Sequence, residues 1–197
     1  MFGRWHSWTM QALVDRGEIP IPPDTEVWYA AASQVVLYTQ TGVVSHTYAD
    51  GIGKIVFTAA VETLNNVLRG ADVHKVFLPA CVAGISSNAF RGCGQMLRCH
   101  MPDSVATIGN YAFLGCGTLV LSKLPASLAS LGTSAFSANR ALRAITFRST
   151  PSTIGSSCFY NCANLATIRV PWAEGAVSGA PWGAPSTTQI IYNYTPQ

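Results

Sequence analysis

Apolar residues recur along this chain on a fixed step of 23. Ile85, Ile108, Leu131 and Ile154 share one such column, and Phe90, Phe113, Phe136 and Phe159 share another. Met96, Leu119, Leu142 and Leu165 form a third, and Met101, Leu124, Phe147 and Val170 a fourth. The residue before each Phe is small: Ala89, Ala112, Ala135 and Cys158. Pro102, Pro125 and Pro171 close three of the units, and Arg148 closes the other. A weaker copy lies upstream, where Val67, Val73, Val76, Leu78 and Pro79 fall one period before Phe90, Met96, Cys99, Met101 and Pro102. A period of this size marks a stacked-repeat architecture, because one unit cannot bury its own apolar face.

Within a unit, polarity alternates as in a short strand. Ile145 and Phe147 read as inward, with Ala144, Thr146 and Arg148 outward; Ile168 and Val170 repeat this against Thr167 and Arg169. The small-Phe pair is then predicted on a short helical or 3-10 turn across the coil. The expected fold is a solenoid with parallel short strands on one face, about 4.8 Å apart, helical or 3-10 turns on the other, and β-rich caps at both ends.

The remaining chain divides around this block. In residues 1–25, Phe2, Trp5, Trp8, Ala12 and Leu13 have the spacing of an amphipathic helix, followed by the proline-rich run Glu18 to Thr25. The three aromatics Phe2, Trp5 and Trp8 either cap the first coil or dock into another subunit. Residues 26–57 read as a β cap, with strand-like runs at Val27–Ala30, Gln34–Thr39 and Ile55–Phe57. Residues 58–171 are the repeats. Residues 172–197 form the C-terminal cap, ending in a strand from Gln189 to Tyr194. Such caps cover apolar core that a bare solenoid end would expose.

The units resemble bacterial surface-antigen, BspA-like leucine-rich repeats. Ile108-Gly109, Ala112-Phe113, Cys116, Leu119, Leu124 and Pro125 follow that pattern, with departures at Ser122, Arg148, Asn139 and Cys158. Upstream, Glu26 to Tyr29 and Val44 to Gly51 resemble the segment that precedes such repeats. The tail from Val170 to Ala184 resembles the endings of repeat proteins in phage genomes and their host bacteria. The resemblance implies a non-enzymatic recognition or adhesion module. The expected setting is a phage virion, as a receptor-binding or decoration protein; the alternatives are a purely structural virion component or a bacterial cell-surface protein. It also implies that Cys93, Cys116, Asn139 and Cys162, which share a column, hydrogen-bond turn backbone inside the coil.

Composition sharpens this picture. The chain of 197 residues is 49% hydrophobic and 11% charged, which argues against global disorder. No apolar run reaches the length of a membrane span, and Met1 to Met10 lacks the apolar core of a secretory signal. The net charge of +3 conceals a split. Residues 1–72 carry four Lys/Arg and seven acids, whereas residues 73–171 carry eight Lys/Arg and Asp103 alone.

The six cysteines mostly sit in repeat columns, with no Cys-x-x-Cys pair and no His at ligand spacing. Adjacent coils would still bring Cys93 near Cys116. His6, His46, His74 and His100 lie apart from any nucleophile. No catalytic constellation, cofactor or metal is expected.

In register, the outward strand positions form two rows. One holds Arg98, Leu121, Ala144 and Thr167, the other His100, Lys123, Thr146 and Arg169. Arg98, His100, Lys123, Thr146 and Arg169 are therefore the candidate ligand-binding residues. Their counterpart would be an anionic glycan or an acidic protein surface; the alternative is that these cations only solubilise the face and block edge pairing. Nucleic acid is disfavoured because the rows lack stacking aromatics. Other virion or surface proteins are the expected partners of the N-terminal segment, and homo-oligomers are an open possibility.

Overall fold

The computed structural model describes residues 21–39 and 42–195. Phe2, Trp5 and Trp8 lie outside the described residues. The chain begins with an antiparallel unit of β1 (Glu26–Ala30), β2 (Val43–Ala49) and β3 (Ile52–Phe57), with β3 central between β2 and β1. Parallel coils follow. Strands β4 (Thr63–Leu64), β5 (Lys75–Phe77), β6 (Gly84–Ile85), β7 (Arg98–His100), β8 (Thr107–Ile108) and β9 (Ser130–Leu131) occupy the first part. Strands β10 (Ala144–Thr146), β11 (Thr153–Ile154), β12 (Thr167–Arg169) and β13 (Gln189–Ile191) complete it.

These strands line two faces. On one, β4, β6, β8, β9 and β11 pair in parallel, each contributing one outward residue and one buried Ile or Leu. The other face is interrupted. Its first part runs β2-β3-β1-β5-β7, and its second runs β10-β12-β13. Strand β1 joins the N-terminal unit to the solenoid by antiparallel pairing with β5, Tyr29 opposite Val76.

Across the coil, the predicted helical or 3-10 turns are replaced by hydrogen-bonded turns, and no helix forms among the described residues. The reason is visible in the amides. The Asn88, Phe90 and Gly92 N–H groups donate to Asn110, Ala112 and Leu114 of the next coil, at 3.0, 2.8 and 2.8 Å. Only the intervening amides close local turns, as Ala89 to Ser86 and Arg91 to Asn88 do. A helix needs every amide to bond within its own segment. Left-handed residues also interrupt each turn, Asn88 at φ 62° and Gly92 at φ 78° among them. This side is thus a third ladder between coils.

The interior is one stack. Phe90, Phe113, Phe136 and Phe159 are fully buried, with successive ring centroids 5.0, 5.0 and 6.1 Å apart. The Ile85 and Met96 columns are buried beside them. Val82, Val105 and Leu128 form a further buried column behind the proline turns, which the sequence reading does not contain. Phe147 meets Trp172 and Trp182, and both tryptophans are buried at the C-terminal end. Two strand expectations need correction. Gln34–Thr39 forms no strand, and the last strand stops at Ile191 rather than Tyr194. Val43–Ala49, not predicted as a strand, pairs as the edge strand β2.

Candidate functional site

The interrupted face carries the charge. Parallel register sets Lys75 beside Arg98, Phe77 beside His100, and Ala144 and Thr146 beside Thr167 and Arg169. A single parallel bridge links Lys123 to Thr146. The outward row therefore reads Phe77, His100, Lys123, Thr146, Arg169, as the period requires, and ends on Ile191, one residue short of it. Arg98 and Lys123 are exposed, and His100 and Arg169 half-buried. Thr146 is a correction. It occupies its row, but only 5% of its surface is exposed, because its short side chain lies between the longer Lys123 and Arg169 on the coils either side. It can space Lys123 from Arg169 but offers little surface to a ligand.

The charges are unbalanced locally. Among the described residues, ion pairs join Lys54 to Glu26 and Arg148 to Asp103. Lys75, Arg98, Lys123, Arg143 and Arg169 have no such partner. Arg169 lies over the Tyr194 ring, 5.7 Å from its centroid. His100 stacks on Phe77, ring centroids 4.7 Å apart, and burial lowers its pKa below the ordinary value, helped by the positive charges of Arg98 and Lys75. It is thus disposed to stay neutral while its neighbours are charged.

Sequence reasoning omitted Lys75, Phe77 and Arg143 from this face. Lys75 and Phe77 stand one period before Arg98 and His100, so the same arithmetic extended by one unit finds them. Trp28 joins the row through its register with Phe77 on the antiparallel strand β1. No 23-residue step could reveal that pairing. Neither aromatic presents a free stacking platform: Phe77 is buried, and the Lys54 ammonium sits 5.4 Å from the centre of the Trp28 ring.

The interruption falls at 117–124, the coil between β7 and β10. Ser122 stands where the neighbouring coils place Cys99, Ile145 and Ile168. Those three side chains are buried and Ser122 is exposed. A hydroxymethyl group has little to gain from the apolar interior, so the strand is not pulled flat against it. Among the described residues, Leu121, Ser122 and Lys123 donate no backbone hydrogen bond. Val120, Leu121, Ser122, Ala141, Arg143 and Ala144 surround the resulting hollow of about 230 Å³.

The cysteine column has a structural part. The Cys93, Cys116 and Cys162 thiols donate to the Leu68, Phe90 and Phe136 carbonyls at 2.9, 3.1 and 3.0 Å. Asn139 donates from Nδ2 to the Phe113 carbonyl at 2.8 Å and to that of Phe136 at 2.6 Å. Most of these bonds reach the preceding coil. Burial pushes the Cys93 and Cys162 thiols up to about 11, and raises those of Cys99, Cys116 and Cys158 well above the ordinary value too. All six cysteines are free. No group of metal-ligating side chains forms among the described residues, and no helix there is long and apolar enough to cross a membrane.

Comparison with known proteins agrees with this geometry. Residues 62–174 match the BspA type leucine rich repeat region in six copies. No curated protein matches the chain. Among solved structures it is similar to a leucine-rich repeat protein from Bacteroides ovatus, at 24% identity and a TM-score of 0.52. The likeness covers 76% of this chain and 43% of that one, and it shows the fold. The chain spans less than half of that protein's length. The repeat period, the parallel coils and the family match together make this chain a member of the BspA-type leucine-rich-repeat family.

Proposed function

We propose that this chain is a non-enzymatic recognition module whose interrupted strand face binds an acidic protein surface. The family and fold are typically non-enzymatic and suited to protein–protein interaction. The observation that carries the reading is the set of five cations, Lys75, Arg98, Lys123, Arg143 and Arg169, with no ion-pair partner among the described residues. Charges on adjacent strands add into a field that raises encounter rates with an oppositely charged partner.

The test uses the full chain and a fluorescently labelled nona-glutamate peptide. Binding should weaken steeply between about 0.01 and 0.15 M salt, where the screening length falls from about 30 to 8 Å. Lys123→Glu with Arg169→Glu should cost at least tenfold in affinity. Unchanged, salt-insensitive binding by that double variant would remove the basic face from the reading.

The proposed setting is a phage virion, in a receptor-binding or decoration role. The resemblance of the segment from Val170 to Ala184 to the endings of repeat proteins in phage genomes and in the bacteria they infect supports it. A bacterial cell surface is the second reading, favoured by the family and by the bacterial origin of the similar solved structure. Mass spectrometry of purified particles against washed cell envelopes separates the two.

A further inference from the structure

We propose that the hollow at the strand interruption is the anchor point of this face, taking one apolar side chain of an extended, acidic segment of the protein partner. The inference rests on the reading of the basic face above and adds where on it, and through what chemistry, the partner is held.

Three observations converge on the hollow. The first is its apolar lining. Val120 lines it and is 49% exposed, and Leu97, one period earlier and 46% exposed, continues the apolar surface outside it. Leu121, Ala141 and Ala144 are only partly covered. Exposed apolar surface rimmed by polar groups marks an interaction site. The second is unused backbone. Strand β7 pairs with β5 on one side, while its other side meets a coil with no strand. The Leu121, Ser122 and Lys123 amides have no backbone partner. An extended peptide can satisfy such amides with its own carbonyls. The third is charge. Arg143 lines the hollow, Arg98 stands on β7 beside the interruption, and Lys123 lies within it. None of the three has an acidic partner among the described residues.

These features specify one occupant. The cations select carboxylates, the amides select an extended backbone, and the lining selects an aliphatic side chain between the carboxylates. The volume suits a side chain of leucine size better than a large ring system, since ligand sites for whole small molecules occupy roughly 300–1,000 Å³. Four of the six lining residues are apolar, which an aliphatic side chain fills better than a hydrated anionic sugar does.

Two labelled peptides test this on the full chain: nona-glutamate, and the same peptide with leucine at its centre. The leucine peptide should bind at least tenfold more tightly. Ala144→Gln, which fills the hollow from β10, should erase that advantage while leaving nona-glutamate binding within twofold. Val120→Asn, at a half-exposed position, should erase it as well. Equal binding of the two peptides to the unaltered chain would overturn the anchor while leaving the basic-face reading intact. Failure of both peptides to bind would overturn the basic-face reading, and the anchor with it. A sulfated hexasaccharide that binds more tightly than the leucine peptide would overturn the choice of a protein partner.

Discussion

Asn139 does at one coil what a thiol does at the three others in its column. Its amide nitrogen reaches the Phe113 and Phe136 carbonyls, while its Oδ1 is buried without a partner. Only the donor is needed there, and a thiol supplies a weak one. Removing it breaks its two bonds to buried carbonyls, which keep only the Cys116 amide and the Cys162 thiol as donors, at about 0.5–1.5 kcal/mol per bond. Asn139→Ala should therefore lose about 2 kcal/mol in urea unfolding, and Asn139→Cys distinctly less. Equal losses would mean that the side chain fills space and does not bond. Histidines give a second residue-scale expectation. Burial depresses the pKa of His46 and, with help from Arg98 and Lys75, of His100 below the ordinary 6.5. The folded chain then binds fewer protons than the unfolded chain just below that pH. The stability these groups contribute is complete above 6.5 and declines as pH falls through their folded values. Thermal melts from about pH 7.5 to 5.5 should show this decline, and His46→Gln with His100→Gln should flatten it.

At the scale of elements, the contact between coils is so close that some positions exclude even a methyl group. A Cβ on Gly132 would lie 2.5 Å from the Asn110 nitrogen and the Gly109 carbonyl carbon. The same is true of Gly155 against Thr133 and Gly132, so the glycines form their own column one residue after the Ile. Gly132→Ala must push two coils apart and should cost about 1–3 kcal/mol, seen as a lower urea midpoint. Gly117→Ala, in open space, should cost far less. The strands of the interrupted face were legible because they repeat: the column anchored by Ile145 fixes both phase and facing. Strands were expected on one face alone, and the two-residue strands at the Ile108 column make a second, because a two-residue strand is too short to show alternation. The turn side was misread for a physical reason. The spacing of Ala112 and Phe113 fits a helical turn, but nothing in composition reveals that alternate amides bond to the next coil. The N-terminal unit lacks a period, which is why Gln34–Thr39 was predicted as a strand and Val43–Ala49 was not.

For the whole molecule, the charge split of the sequence becomes in part a division of surface: five of the eight cations of 73–171 lie on or beside an interrupted sheet, while Arg91 and Arg140 lie in the turns and Arg148 pairs with Asp103. His100, Lys123 and Arg169 could be placed in one row from their spacing alone, because a solenoid converts period into adjacency. The loss of Thr146 to burial could not, since it depends on how far neighbouring side chains rise above the sheet. The interruption was half legible. Ser122 stood out as a polar residue in an apolar column, yet only the coordinates show that the strand lifts away there. Deleting residues 109–131 removes one full period and joins Ile108 to Gly132 in phase. That variant should still fold with a single cooperative melt, because each coil bonds only to its neighbours, and should lose the preference for the leucine peptide. Aggregation or a non-cooperative melt would show that the coils are not equivalent.

The amides handed from each turn to the next coil have a last consequence. Because three successive turns, at 88–92, 111–115 and 134–138, hand the next coil the same alternate amides, overall reach can be dialled in increments of about 4.8 Å by adding or losing whole units. Spacing between two attachment points on a partner could then be matched by copy number alone, with no redesign of either end.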